Sequence, residues 1–528
     1  MSISALLIAN RGEIAIRIAR AAGDLGIRTV AVHSSDDVDN LHTRIADEAY
    51  ALAGAGAPAY LDIDGIIAAA KATGCDAIHP GYGFLAERAD FARSCAGSGL
   101  TFIGPRVADL ALFGDKAKAR AAAIAADVSV IQGLDHAVSL AEAQAFFEQL
   151  GPNGAMMIKA IHGGGGRGAR VVTTQDDVAS AYERCKSEAS AAFGREDVFV
   201  EAFIAKARHI EVQILGDQHG SIANLGEREC SVQRRFQKIV EVAPAPGLDT
   251  GLREKIIDAA MRFAKSVKYQ NLGTFEFLVD VSNDAGNFVF IEANARLQVE
   301  HTVTEAVAGV DLVQTQIKLA NGDSLSALGL DDPQAVAPRG YAIQTRVNME
   351  TVSADGVVRP GGGVLSVYEA PSGPGVRTDG FGYAGYQTSS AFDSLLAKVI
   401  CHSPTANFSD VITRSRRALS EFRLEGADVN ISFLQNILGH ADFAQSKVHT
   451  RWVDDHMADL AAPVEESRKR YVASHQSNTV AHAPDGFAGA RVQSNDPLAL
   501  FNFDAQVKAD QAPAEATVED ASVAGPPG

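Results

Sequence analysis

The chain has 528 residues, 46% of them hydrophobic, and a formal net charge of −18. That length allows about three domains, and the acidic balance argues against non-specific binding to nucleic acid or to an anionic membrane. No stretch reaches the ~20 apolar residues of a membrane span, and five scattered cysteines without a C-x-x-C pair fit a reducing cytoplasm better than a disulfide framework.

The opening ALLIANRGEIAIRIARAAGDLGIRTVAVHS reads as strand, turn, amphipathic helix and strand, a βαβ unit that predicts a parallel sheet. Its apolar run is too short for a signal peptide. CDAIHPGYGFLAE adds another strand end and a glycine-rich turn. Sites gather at such strand ends in open α/β sheets, although Gly81 and Gly83 read equally well as a plain turn. From Phe113 to about Ala205, helical stretches alternate with short strands around KAIHGGGGRGAR (Lys159–Arg170).

Gly163, Gly165 and Gly168 formally satisfy G-x-G-x-x-G, but a dinucleotide site needs a helix after the glycines. Here MMIKA precedes and ARVVTT follows, so the pattern is strand, glycine loop, strand. A glycine hairpin over phosphates explains it better: bare backbone approaches closely and aims N–H groups at the anion. Lys159 adds a point charge, and Arg167 and Arg170 either do likewise or only solvate the loop. Such a hairpin is a natural moving lid; the bland alternative is a surface turn.

Residues 206–316 read as strand-rich, with HIEVQILGD, GTFEFLVDV and NFVFIEANARLQVEH. In the last of these, Glu292, Asn294, Arg296, Gln298 and Glu300 fall at every second position. A strand would set all five on one face, about 6–7 Å apart. A solvated strand face looks similar, but Glu276, alone among apolar residues in GTFEFLVD, suggests that the two strands pair. Glu276, Glu292 and Asn294 then make an oxygen-rich site suited to Mg²⁺ or Mn²⁺. ECSVQRRFQK adds a cationic cluster of Arg234, Arg235 and Lys238, flanked by Gln233 and Gln237, for a small oxyanion or for nearby acids. Cys230 reads as a packed small residue rather than a nucleophile. From about Pro338, RGYAIQTRVNME, GGGVLSVYEA and LLAKVICHS suggest further strands, followed by helices through ALSEFRLEG and NISFLQNILGH. The order signal fades after about Leu460, and DQAPAEATVEDASVAGPPG reads as linker or disorder.

Taken in order, IANRGEIAIRI, HPGYGFLAE, FGDKAKAR, KAIHGGGGRGAR, RHIEVQILGD, ECSVQRRFQK, GTFEFLVD, IEANARLQVEHTVTE and TRVNME resemble the biotin carboxylase component of biotin-dependent carboxylases, from about residue 3 to residue 456. The resemblance implies an α/β fold in three parts. These are a Rossmann-like (pre-ATP-grasp) biotin carboxylase N-terminal domain (1–112), an ATP-grasp domain (113–320) with a mobile lid (about 131–205), and a biotin carboxylase C-terminal domain (335–456). A linker or disordered tail (457–528) would follow.

The family's residues carry over by motif. Lys116, Lys159 and the lid glycines Gly163, Gly164, Gly165 and Gly166 match ATP-phosphate ligands. Glu201 and Ile204 fall at the adenine edge, and His209 and Gln233 also match nucleotide-site positions. Glu276, Glu292 and Asn294 match the metal site, for two Mg²⁺ or Mn²⁺ ions. Lys238, Arg296, Gln298 and Val299 match the bicarbonate pocket, Glu300 the general base and Arg346 the arginine facing biotin. Phe236 stands where many members carry histidine, and Ala202 where a lysine is common. Both departures touch ATP contacts and leave the bicarbonate pocket alone.

The implied activity is ATP- and bicarbonate-dependent carboxylation of biotin on a carrier protein, through carboxyphosphate. It is the first half-reaction of an acyl-CoA or pyruvate carboxylase. No Ala-Met-Lys-Met type biotinylation site and no carboxyltransferase segment is recognisable, so the expected partners are a biotin carboxyl carrier and a carboxyltransferase, as subunits or further domains, with pairing of the chain itself. Two alternatives stay open: another ATP-grasp ligase, such as a carbamoyl-phosphate synthetase module, and an inactive ATP-binding scaffold of a carboxylase complex.

Overall fold

The computed structural model describes residues 2–134, 136–151, 154–161, 169–193, 195–282, 286–334 and 336–464. Gly163, Gly164, Gly165 and Gly166, with Arg167 and Gly168, lie outside the described residues, as does the chain beyond Val464.

The N-terminal βαβ unit is present. Strand β1 (Ala5–Ile8) runs parallel to β2 (Arg28–His33), with helix α1 (Gly12–Asp24) between them. With β3 (Glu48–Ala51), β4 (Ala77–His79) and β5 (Thr101–Phe102) they form a sheet in the order β3-β2-β1-β4-β5. All four residues of β1 are buried, as expected of a strand covered on both faces. Strand order reverses at β1, and the loops after β1 and β4 meet there. Buried Asn10 donates to the carbonyls of Pro80 (2.7 Å) and Tyr82 (2.8 Å). Gly81, at φ +65°, lies so close that a Cβ would stand 2.8 Å from Asn10. The HPGYG turn is thus a fitted contact at the switch point.

A small sheet in the order β7-β6-β8 joins β6 (Met156–Ala160), β7 (Ala169–Val172) and β8 (Val198–Ala202). Strands β6 and β7 are antiparallel, with Lys159 opposite Ala169, so the strands flanking the glycine run form the expected hairpin. Met156, Ile158, Val172, Val198 and Val200 share a core with Phe146, Phe147 and Cys185.

The large sheet has eight strands. Strands β9 (Ala207–Gly216), β10 (Ile222–Arg234), β11 (Gln237–Ala243), β12 (Asn271–Asp280), β13 (Phe288–Asn294) and β14 (Tyr341–Asn348) take the order β13-β12-β9-β10-β11-β14. Strands Leu395–Ser403 and Val376–Gly380 continue it. β11 pairs with β14, Val240 opposite Thr345, so one sheet crosses the interval between 320 and 335. A shared core that includes Val232, Val240, Ile343, Val399, Phe433 and Trp452 lies against it.

Three features differ from the sequence reading. The strand-rich interval contains helix Thr250–Ser266, capped by the Asp249 carboxylate accepting from Leu252 N–H (2.9 Å) and buried along Ile256, Ala259, Ala260 and Phe263. Strand β13 ends at Asn294, so Arg296, Gln298 and Glu300 are not on it. Glu300 is instead the N-cap residue of helix His301–Ala308. Order also passes residue 456: Met457 and Leu460 of helix Met457–Leu460 are buried in the shared core. All five cysteines are free and buried. Among the described residues, no helix is long and apolar enough to cross a membrane.

Glu305 ties three of these pieces together. It pairs with Arg17 of α1 (2.8 Å) and Arg377 (2.8 Å), and accepts from Leu312 N–H (2.8 Å). Removing one partner of a buried ion pair costs about 3–5 kcal/mol. Asp311 and Asp379 still hold the two arginines, at 2.7 and 2.6 Å. Glu305→Leu is therefore expected near the low end of that range, read as a lower urea midpoint.

Candidate active site

The site is a row of charge across the large sheet. Strand β9 alternates His209, Glu211 and Gln213 with apolar residues, yet it is buried along its whole length. In register, Arg228 of β10 stands opposite Glu211, Glu211 opposite Glu276 of β12, and Glu276 opposite Glu292 of β13. Three carboxylates thus lie side by side, an arrangement that repels unless cations are interleaved.

Two cations meet that need. Arg228, fully buried, pairs with Glu211 and donates to Gln213 (2.8 Å), Thr304 (2.9 Å) and Thr274 (3.2 Å). Lys238 reaches over from β11. Its Nζ lies 2.6 Å from Glu211, 3.1 Å from Glu276, 2.6 Å from Glu300 and 3.3 Å from Gln298. Glu300 is held from the other side by Arg346 of β14 (3.1 Å), whose Nε also donates to buried Glu241 (2.6 Å).

These contacts set the protonation states. Burial alone would push the Glu300 carboxyl up, but Lys238, Arg346 and Arg228 outweigh it and hold it well below the carboxylate range. Glu276 is likewise depressed against its burial, by Lys238 and His209. Burial would lower the Lys238 ammonium, yet Glu211, Glu276 and Glu300 raise it well above the usual value. Burial lifts Glu241 despite Arg346. The Cys230 thiol is pushed far up by burial, which leaves it an inert packed residue.

Past Asn294 the chain turns, but its polar side chains still converge. Asn294 Nδ2 (2.7 Å) and Gln298 Nε2 (2.7 Å) both donate to Glu276 Oε1, and Asn294 lies 3.5 Å from Glu292. Arg296 donates to Asn294 Oδ1 (2.9 Å). Its Nε stands 3.0 Å from Glu87, an ion pair whose N–H is not aligned for a hydrogen bond. Val299 takes part through its carbonyl, which accepts from fully buried Lys398 (3.0 Å). Lys398 in turn pairs with Glu13 of α1 (3.0 Å), and Glu13 accepts from the Tyr82 hydroxyl.

The residues expected around the nucleotide divide into two groups. His209 and Gln233 belong to the carboxylate cluster: His209 Nε2 lies 2.5 Å from Glu276, and Gln233 donates to His209 Nδ1 (2.7 Å). Lys159 and Glu201 form an ion pair across β6 and β8, with half-buried Ile204 just beyond β8. Lys116 opens helix Lys116–Ala125, which is capped by Asp115. The two departures lie at edges. Ala202 ends β8, and Phe236, exposed at 45%, forms with Arg235 the two-residue tip between β10 and β11, both at positive φ. That tip fixes Gln233 and Lys238 on its two sides.

The carboxylate pair Glu276 and Glu292 with an amide beside it is a hard-oxygen donor set, which fits Mg²⁺ or Mn²⁺. Sequence reasoning passed over Glu211, Arg228, Glu241, Glu87 and Lys398. The signal for the first was available, because polar residues alternating inside an otherwise apolar strand mark a buried functional face.

Three domain families match the chain. Residues 2–110 match the biotin carboxylase N-terminal domain, residues 115–328 the ATP-binding domain of the carbamoyl-phosphate synthase L chain, and residues 344–455 the biotin carboxylase C-terminal domain. Mitochondrial pyruvate carboxylase of Mus musculus is 48% identical over 460 residues, 86% of this chain and 38% of that protein. Pyruvate carboxylase of Bacillus subtilis is 44% identical over 523 residues, 98% of this chain and 44% of that protein. The chain thus spans about two fifths of the length of such relatives. Among solved structures, the biotin carboxylase domain dimer of Hydrogenobacter thermophilus 2-oxoglutarate carboxylase, in complex with MgADP, ADP and bicarbonate, superposes with TM-score 0.82 at 38% identity, covering 88% of this chain and all of that one. Biotin carboxylase of Campylobacter jejuni, in a βγ-ATP complex, gives 0.81 at 36%, covering 86% and 99%.

The charge row makes a testable statement about pH. A carboxyl whose folded pKa is depressed stabilises the fold above its unfolded value of about 4.3 and loses that stabilisation as pH falls through the folded pKa. Glu276 and Glu300 are depressed largely by Lys238. In Lys238→Met their pKa values should rise, leaving crowded carboxylates at pH 7 that acid relieves. The loss in thermal midpoint relative to the parent chain is expected to be large at pH 7.5 and clearly smaller at pH 5.5. An equal loss at both would show that Lys238 acts by packing alone.

Proposed function

The chain belongs to the biotin carboxylase family of ATP-grasp ligases, and we propose that it carboxylates biotin on a carrier with ATP and bicarbonate, as the first half-reaction of a larger pyruvate or acyl-CoA carboxylase. The observation that carries this reading is Lys238 shared among Glu211, Glu276 and Glu300, with Arg346 on the far side of Glu300. A second ammonium or guanidinium within reach of a buried base is what an anionic substrate needs.

Lys238 and Arg296, with Gln298 and the Val299 backbone, would hold bicarbonate. A carboxylate as strongly stabilised as Glu300 is a weak base. Its basicity returns when bicarbonate takes over Lys238, so binding and deprotonation are linked. Glu300 takes the bicarbonate proton. The freed oxygen attacks the γ-phosphorus of ATP as the bond from that phosphorus to ADP breaks, giving carboxyphosphate and ADP. Lys116, Lys159, His209, Gln233 and the lid glycines Gly163–Gly166 bind and orient the nucleotide, with Glu201 and Ile204 at the adenine edge. A divalent ion at Glu276, Glu292 and Asn294 would offset phosphate charge. Carboxyphosphate breaks down to CO₂ and phosphate, phosphate accepts the ureido proton of biotin, and the nitrogen attacks CO₂. Arg346 stabilises the charge that builds on the ureido oxygen. The proposed division is 1–112, 113–320 with its lid at about 131–205, and 335–456. A pair of Mg²⁺ or Mn²⁺ ions, a carrier, a carboxyltransferase, self-pairing and a cytoplasmic setting belong to the same proposal.

The match of the central region to a carbamoyl-phosphate synthase family also fits other ATP-grasp ligases. The two flanking biotin carboxylase matches and Arg346, placed over Glu300, favour biotin. Release of ADP by the purified chain should depend on both free biotin and bicarbonate. Glu300→Gln is expected to lower that rate at least about 100-fold, in line with loss of a positioned base, while nucleotide affinity stays within about threefold. Normal turnover in the variant would assign the proton transfer elsewhere. ADP release unaffected by biotin would overturn the proposed acceptor.

A further inference from the structure

Far along the chain from the carboxylate row, three side chains that the proposed reaction does not use converge on one point. His440 caps the short helix Ala441–Ala444, Asp442 sits in its first turn, and His456 follows helix Trp452–Asp455. Asp442 Oδ2 lies 3.7 Å from His440 Nδ1 and 3.6 Å from His456 Nε2, and all three groups are half-buried.

Hydrogen bonding decides what these atoms present to one another. His456 Nδ1 faces the Trp452 carbonyl at 2.9 Å and must donate to it, so in the neutral ring Nε2 carries a lone pair. His440 Nδ1 accepts from the Asp442 backbone N–H (3.1 Å), so it too carries a lone pair. The Trp452 indole N–H donates to Asp442 Oδ2 (3.2 Å) and orients the carboxylate. Three lone-pair atoms therefore crowd together with no donor among them. Ligands of a tetrahedral zinc ion, bonded at about 2.0–2.1 Å, stand about 3.3 Å apart. The two spacings to Asp442 need to close by only a few tenths of an ångström, and all three ligand atoms lie within 4.8 Å of one another.

We propose that His440, Asp442 and His456 form a site for one borderline divalent cation such as Zn²⁺, distinct from the oxygen-ligand site at Glu276 and Glu292. Two imidazoles and one carboxylate suit zinc or cobalt and disfavour Mg²⁺. His440 also lines a cavity of 340 Å³ with Arg416, Gln435, Asn436 and Asp459. Binding takes the His440 lone pair from the Asp442 N–H, a modest loss at a helix end. The ion would clamp residues 440–456 as a structural staple.

Trp452 supplies the test. It is the only tryptophan of the chain, and its ring centroid lies 5.0 Å from those of both His440 and His456. The full chain, stripped with a chelator and kept in excess Mg²⁺ to occupy oxygen-ligand sites, is titrated with Zn²⁺ while its tryptophan fluorescence is followed. The expected result is a saturable change at one equivalent per chain. Co²⁺ in place of Zn²⁺ should give a tetrahedral ligand-field absorption. His440→Gln and His456→Gln should each weaken binding at least about tenfold and remove that absorption. Each variant is compared with its own metal-free midpoint, which loss of the His440 cap or of the His456–Trp452 bond lowers by itself, and the midpoint gain on adding Zn²⁺ should vanish. Absence of a saturable change in the parent chain would overturn the site and leave a plain histidine–carboxylate contact. An undiminished response in both variants would also overturn it, placing the ion elsewhere, for instance at His209, Glu211 and Glu276.

Discussion

Like charges on adjacent strands are what this structure has to contend with. Glu211, Glu276 and Glu292 stand in one row, and Glu300 closes in from a helix start. None of these positions is tolerable by itself in a buried sheet. They become so because Arg228, Lys238 and Arg346 enter from three successive neighbouring strands, β10, β11 and β14. The order of strands in the sheet is therefore also the order in which charge is balanced. A substrate anion entering such a field meets cations already desolvated and already aimed, at little further cost in reorganisation.

The outer supports of this centre come from distant parts of the chain. Glu87 and Tyr82 lie in the loop after β4, at the switch point of the N-terminal sheet, and Glu13 lies on α1. Glu87 meets Arg296, while Tyr82 donates to Glu13, and Glu13 pairs with Lys398, which holds the Val299 carbonyl next to Glu300. The turn that carries the proposed base is thus gripped by the N-terminal region and by strand Leu395–Ser403 together.

Much of this was legible in the sequence. The βαβ start, the hairpin around the glycine run and the pairing of the Glu276 and Glu292 strands all follow from apolar periodicity and turn residues. What periodicity could not show was the break after Asn294. Alternation continued in the sequence although the backbone had turned, because Gln298 and Glu300 reach the cluster from a turn and a helix cap. The partners Arg228 and Glu241 stayed hidden for a related reason. A strand buried on both faces is read as apolar with occasional polar interruptions, and only the register across strands reveals that the interruptions line up. Helix Thr250–Ser266 hid behind its strand-rich neighbours, and helix Met457–Leu460 behind the polar run Asp454–His456; its two large apolar residues are the ones that pack.

The seam between β11 and β14 carries a consequence for anyone who would take the chain apart. The interval near 320–335 looks like a natural place to cut, yet hydrogen bonds from Val240 to Ala243 against Ala342 to Thr345 bind the two sides into one sheet. Pieces made there would each present a raw, largely apolar edge, inviting aggregation or strand exchange between molecules. Module shuffling among such enzymes should respect that seam and move both flanks as one inheritance.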